Sequence, residues 1–341
     1  MKRRFFAPLL LALPVLLAHL GVGEFVQRFD QELRADIGST PPPIEVRFVQ
    51  EMKQTRLLSA PKALPRNTGA ALAPLKPRAE TEIAAIDPLD VPRPPEPAPV
   101  LAAAQDGEIG PEWPLSTRME YTLTGNYRGE VTGSASVEWR REGTHYQVAL
   151  EFSVGGIVSR SLTSDGKLGP HGIEPQRYDE TTRIILMSPR RANVNFSGSE
   201  ITLSNGQILP QPKGAQDTAS QFVQLTWLFL TGRAPVQAGT VIDIPLALPR
   251  KLYAWRYTVQ QQELLYTPIG AIQAWHLTPS RADSMPLNGD LQAEVWLAPT
   301  LQYLPVRILI RQDAQTYVDL MLAKAPVQAA PQSGPSQSSK P

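Results

Sequence analysis

The 341-residue chain has no cysteine. Disulfides and thiolate metal sites are thereby excluded, while any compartment remains open. An excess of one charge is also missing. Lysine and arginine number 33 against 32 acids, for a net charge of +1. There is thus no broad electrostatic footprint for nucleic acid. Large aromatics are missing from the first third: all six Trp and all nine Tyr lie beyond residue 112. Such side chains dominate core burial, so one folded domain is expected, from about Pro111 to Lys324 (111–324). About 210 residues bury most of the surface their unfolded chain exposes and need no covalent staple.

Residues that carry chemistry are sparse. The four histidines, His19, His145, His171 and His276, form no pair at ligand spacing. A zinc site would need distant residues to converge. There is no G-x-S-x-G elbow for a hydrolase. Glu263 and Asp243 have no partner visible in the sequence, although glycosidase carboxylates can stand anywhere along a chain. No catalytic, cofactor-binding or metal-ligating residue is assigned, and a non-enzymatic protein is expected.

What is present begins at the N-terminus. Phe5 to Val22 is an 18-residue run without charge, preceded by Lys2, Arg3 and Arg4. As a helix it would span about 27 Å, close to one hydrocarbon core. Residues 1–23 therefore read as a transmembrane anchor, with a cleaved signal segment as the alternative. Its basic flank places the start of the chain in the cytoplasm and the remainder across the membrane. Residues 24–110 read as a Pro-rich, largely disordered tether. Positions 41–114 hold 15 prolines, which remove backbone donors and fix φ. Ile44 to Phe48 alternates like a short strand that could add to a sheet edge, or remain an unpaired extended segment. The Pro/Ser/Gln-rich end, 325–341, reads as a disordered tail.

Between these segments the period is two. Tyr146, Val148, Leu150, Phe152 and Val154 alternate with mostly polar neighbours, as in a half-buried antiparallel strand. Ala135–Val137–Trp139, Leu291–Ala293–Val295–Leu297 and Leu304–Val306–Ile308–Ile310 repeat the pattern. Gly129, Gly143, Gly166, Gly206 and Gly289 suit the intervening turns. One segment departs from the period. Asp217 to Leu230 is apolar nearly all round, with Asp217 placed to cap its start and Gly232 its end. The expected fold is all-β: an antiparallel curved or barrel-like sheet with one buried helix at about 217–231.

Two surfaces stand out as candidate ligand contacts. Arg183, Arg190 and Arg191 form a basic cluster suited to an anionic glycan or lipid head group. Tyr253, Trp255 and Tyr257 form an aromatic face, readable as a central strand or as a surface for ligand stacking.

Several motifs are shared with known proteins. Trp139-Arg140-Arg141-Glu142-Gly143 with Tyr146, the Gln216-Asp217…Ser220 helix start and Thr267-Pro268-Ile269-Gly270 are one set. Glu294-Val295-Trp296-Leu297-Ala298-Pro299 and Tyr303-Leu304-Pro305-Val306-Arg307-Ile308 are another. Over about residues 115–322 the chain resembles the bacterial domain-of-unknown-function family 3108. That resemblance implies an exported β-rich domain of unassigned activity and offers no catalytic residues. The front end, with Ala18-His19-Leu20 in the anchor and PPPIEV in the tether, is similar to TonB-type energy transducers, but the TonB C-terminal fold is replaced by the β-domain.

These readings converge on a single-pass protein of the bacterial inner membrane, held by residues 5–22, with its C-terminal domain in the periplasm. The expected role is to bind or scaffold a lipid or glycan envelope component in the concave face of the sheet. A protein-interaction module of a TonB-like envelope assembly is the alternative, and a hydrolase the third. A dry, continuous apolar cavity favours the first, and a filled interior with an exposed strand edge favours protein partners.

Overall fold

The computed structural model describes residues 41–55, 113–127, 129–282 and 291–329. The anchor segment, most of the tether and the Asn288-Gly289 turn lie outside them. The described residues form nineteen strands and one α-helix. The strands are β1 (Phe48–Glu51), β2 (Thr117–Asn126), β3 (Glu130–Glu142), β4 (His145–Val154), β5 (Val158–Gly169), β6 (Gly172–Ile184), β7 (Arg190–Phe196), β8 (Glu200–Thr202), β9 (Ile208–Pro210) and β10 (Gln216–Asp217). Helix α1 (Ser220–Leu230) follows. Then come β11 (Val241–Asp243), β12 (Leu246–Leu248), β13 (Lys251–Tyr253), β14 (Trp255–Thr267), β15 (Gly270–Arg281), β16 (Gln292–Ala298), β17 (Leu304–Arg311), β18 (Tyr317–Leu322) and β19 (Val327–Ala329).

Period-two patterning builds the long strands. In β2, Met119, Tyr121 and Leu123 are buried while Arg118, Thr122 and Thr124 face outward. Two antiparallel meanders, β2 to β9 and β14 to β18, are joined where β18 pairs with β2, with Leu320 opposite Leu123. Sixteen strands thus share one sheet, and β10, β12 and β13 form a second, three-stranded one. The all-β fold with one buried helix is as the sequence predicts. One strand departs from its pattern: in β16, Glu294 and Trp296 are buried along with Val295 and Leu297. Its second face is not left to solvent.

Helix α1 lies inside the curve of the sheet. Nine of its eleven residues are buried, which is why apolar side chains encircle it. Polar side chains fasten it at three places. Gln221 Oε1 accepts from Tyr257 OH at 2.9 Å, Gln224 Oε1 accepts from Ile173 N at 2.8 Å, and Thr226 Oγ1 donates to Tyr303 O at 2.9 Å. Trp227 stacks on Trp113 at 4.9 Å, Trp113 on Trp139 at 6.3 Å, and Trp139 on Tyr146 at 5.7 Å. This aromatic column fills the space between helix and sheet. An apolar void of about 20 Å³ remains among Met119, Tyr121, Trp139, Phe222 and Ile308, room for about one water molecule.

The start of the helix rests on Asp217. Its Oδ1 accepts from Ala219 N at 2.8 Å and Ser220 N at 2.9 Å, and its Oδ2 from Ser164 Oγ at 2.5 Å. The carboxylate caps the helix from two residues upstream of its formal cap, Ala219. Burial pushes its pKa up to about 6, against the pull of those donors. A carboxyl with a raised folded pKa binds its proton more tightly folded than unfolded. Its contribution is therefore most favourable below 3.8 and is lost as pH rises towards 6. Asp217→Ala is expected to destabilise the domain by about 2 kcal/mol, a cap plus a buried hydroxyl bond. Asp217→Asn retains the Oδ1 acceptor, so it is expected to cost less and to flatten the fall in stability between pH 4 and 6. Denaturant melts across that range measure both.

The folded unit extends past the boundaries that composition suggests. Ile44 is buried, and its N–H donates to Gln147 Oε1 at 3.2 Å. Beyond it, β1 pairs with β19, which in turn pairs with β2. Met52 N donates to Pro326 O at 2.8 Å and Thr55 N to Thr300 O at 2.9 Å. A piece of the segment read as tether and a piece of the one read as tail thus complete one edge of the sheet. Neither forms a strand by local propensity; each depends on the other and on β2.

Candidate functional site

The arginines at the start of β7 follow a turn, 185–189, and pair with β6 through Thr182–Arg190 and Thr181–Arg191. The β12–β13 hairpin brings Arg250 and Lys251 to the same place. Together with Arg160 on β5 they line an open cleft of about 430 Å³. Five cations thus surround one carboxylate, Glu180. That carboxylate is already engaged: Arg160 Nη2 donates to Glu180 Oε2 at 2.8 Å and Tyr178 OH to the same oxygen at 3.0 Å. Burial works against the charge of Arg160, but Glu180 beside it raises its pKa. Its Nε is buried without a hydrogen-bond partner among the described residues. Arg190, Arg191 and Arg250 are exposed and make no ion pair with a described residue. Lys251 Nζ lies 5.7 Å above the Tyr253 ring. From Thr181 to Ser199 the sequence has no acid. Such a cleft can take an anion through forked guanidinium contacts.

Arg183 does not join this cleft. It lies opposite Ser159 and lines a neighbouring outer-face depression with Arg160, Ser161 and Glu151.

Tyr253, Trp255 and Tyr257 belong to the core and offer no stacking surface; they are 6%, 3% and 0% exposed. Tyr257 reaches α1 through Gln221, Tyr253 and Trp255 pack edge to face at 5.9 Å, and β14 runs between β11 and β15 as a central strand.

Glu263 and Asp243 do find partners. Asp243 Oδ1 accepts from Arg256 Nε at 2.6 Å. Glu263 belongs to a cross-strand network. His276 places Nδ1 2.9 Å from Glu263 Oε1 and Nε2 2.8 Å from Glu294 Oε2, Trp296 Nε1 donates to Glu263 Oε2 at 2.8 Å, and Arg311 pairs with Glu294. The His276 and Trp296 rings stack at 4.2 Å. Both imidazole nitrogens are occupied, so the network binds β14, β15, β16 and β17 to one another. No three His, Asp or Glu among the described residues are grouped to hold a metal ion.

The residues missed by sequence reasoning are Arg160, Arg250 and Lys251. Each lies some tens of residues from Arg190, and strand pairing alone brings them there. The adjacent pair Arg190-Arg191 is the sequence signal that points to this face.

A family model described as a protein of unknown function, DUF3108, matches residues 120–322. No curated protein matches the chain. Among solved structures, similarity extends to the crystal structure of a beta-barrel-like protein of the domain of unknown function DUF1849 from Brucella abortus. That alignment has 13% identity and a TM-score of 0.43, covering 63% of this chain and 99% of that one.

Proposed function

The chain belongs to the DUF3108 family, and we propose that it is a non-enzymatic envelope protein that binds an anionic lipid head group or acidic glycan in the cleft between β5–β7 and the β12–β13 hairpin. One observation carries this reading: Arg190, Arg191 and Arg250 converge, without carboxylate partners among the described residues, on a cleft whose one acid is already neutralised. The helix and the aromatic column fill the middle of the concave face, so this reading sets the site at the rim of that face, where Arg160, Glu180 and Arg190 stand on the same side of the sheet as Leu162, Tyr178 and Val194. In this reading residues 5–22 hold the protein in the bacterial inner membrane and the β-domain works in the periplasm. The uncharged run behind three cations supports that placement. Among the described residues no helix is long and apolar enough to cross a membrane; residues 5–22 lie outside them.

The test is calorimetric titration of the full chain with two soluble probes, glycerol phosphate and a uronic acid oligosaccharide. Reversing two charges, Arg190→Glu with Arg191→Glu, is expected to weaken binding of the preferred probe at least tenfold, about 1.4 kcal/mol. Equal affinity in wild type and variant would refute the site. The preferred probe separates the lipid source from the glycan source.

A second reading, a protein-interaction module of a TonB-like assembly, has one observation in its favour. Strand β1 follows the PPPIEV segment and, among the described residues, pairs on one side only, with β19. No described strand pairs with its other edge, which could take a partner strand.

A further inference from the structure

The turns beside the basic cleft carry aliphatic side chains that the fold leaves in solvent. Ile157, in the β4–β5 turn, is 58% exposed; Ile185, Leu186 and Met187, in the β6–β7 turn, are 57%, 101% and 52% exposed. The two turns form one tip, because Ile185 N donates to Ile157 O at 3.0 Å. Met187 N donates to Ile184 O at 3.0 Å, so the tip is built and does not hang loose. Leu186 has φ of +63°. A leucine there is strained by its Cβ, and asparagine or glycine would be the relaxed choice. The backbone thus holds a large apolar side chain fully in water where a small polar one fits better.

The charge carried by the two turns and their flanking residues has one sign. Arg183, Arg190 and Arg191 flank the tip, and neither turn contains an acid: residues 152–164 and 181–199 are free of Asp and Glu. Isolated exposed aliphatics need no explanation, but four on one protruding tip with an arginine collar form a patch. A bilayer interface accepts a protruding apolar tip and places anionic head groups at the height of the collar, where arginine stems can reach.

We infer that the β-domain docks on a membrane bearing anionic lipid, inserting Ile157, Ile185, Leu186 and Met187 while Arg190 and Arg191 hold the head groups. This inference rests on the reading of the basic cleft as an anion site and assigns that anion to the lipid surface.

The absence of cysteine makes the test direct, since Met187→Cys creates a unique labelling position. The full chain, labelled there with an environment-sensitive fluorophore, is reconstituted with liposomes of phosphatidylcholine, with or without phosphatidylglycerol. Tyr266→Cys serves as control, because it is exposed on the opposite rim, in the β14–β15 hairpin. Brominated lipid is expected to quench the Met187 label at least fivefold more than the Tyr266 label, only when phosphatidylglycerol is present. Adding Arg190→Glu and Arg191→Glu is expected to abolish the difference. Leu186→Asn is expected to weaken docking while leaving the melting temperature unchanged or raised, a pair of effects that a merely structural leucine would not produce. Equal quenching at both positions overturns the inference, as does protection of the Met187 label by a protein in the absence of lipid. If docking fails while glycerol phosphate still binds through the arginines, this inference falls alone. If both fail, the reading of the cleft falls with it.

Discussion

Trp227→Ala is expected to destabilise the domain by about 4 kcal/mol, the usual loss for a buried tryptophan. For a domain of this size that corresponds to a fall in melting temperature of about 10 °C. Trp227 is completely buried, stacks on Trp113 and lies under the Arg233 guanidinium at 4.4 Å. Removing the indole takes away the helix end of the aromatic column, and the side chains packed around it can collapse only partly into the gap. Trp227→Phe provides the internal control. The indole Nε1 is buried without a hydrogen-bond partner among the described residues, so losing that N–H removes an unmet demand and offsets part of the lost area. Phenylalanine is therefore expected to cost no more than about 2 kcal/mol. Thermal denaturation of the three proteins measures the difference. An alanine variant within about 1 kcal/mol of wild type would mean that the helix is loosely seated. A ligand-sized space inside the sheet would then be open again.

Glu294→Ala is expected to cost about 2 kcal/mol, because it leaves a buried imidazole nitrogen without its hydrogen-bond partner. The Glu294 side chain is 6% exposed; its oxygens meet His276 Nε2 and the Arg311 guanidinium. Arg311 can turn to water, being 46% exposed, whereas His276 is 14% exposed and held flat against Trp296. The loss is thus concentrated on the histidine. In a His276→Ala background the same substitution is expected to cost at least 1 kcal/mol less, the signature of direct coupling in a double-mutant cycle. Strict additivity would mean that Glu294 stabilises β16 by packing alone.

Much of this architecture is written locally. Alternation marks β2 to β4 and β17, because one face of each meets the core and the other meets water. The helix is marked by apolar residues all round and by Asp217 and Gly232 at its ends; Gly232 has φ of +67° and follows the last turn. What is not legible depends on which elements cover one another. Tyr253, Trp255 and Tyr257 share a face in any strand, but only tertiary packing, with Tyr257 bonded to Gln221 of α1, decides that this face is interior. Glu294 reads as an outward polar residue until His276 from β15 and Arg311 from β17 meet it. The alternation of Ile44 to Phe48 marks an extended segment just ahead of β1, but nothing marks β19, and the two strands form because each supplies the other's hydrogen-bond partners. Half of the basic cleft is legible as Arg190-Arg191. The other half, Arg160, Arg250 and Lys251, arrives through long-range pairing that no sequence spacing encodes.

The central claim is that this protein recognises its ligand outside a filled core, at the arginines of β7 and the β12–β13 hairpin. Native mass spectrometry of the full chain, gently extracted from its own host envelope, tests it most directly. The expected result is a co-purifying anionic lipid or glycan on the wild type that is absent from the Arg190→Glu, Arg191→Glu protein. An uncharged apolar ligand, or an anionic one that stays bound to the charge-reversed protein, would contradict it.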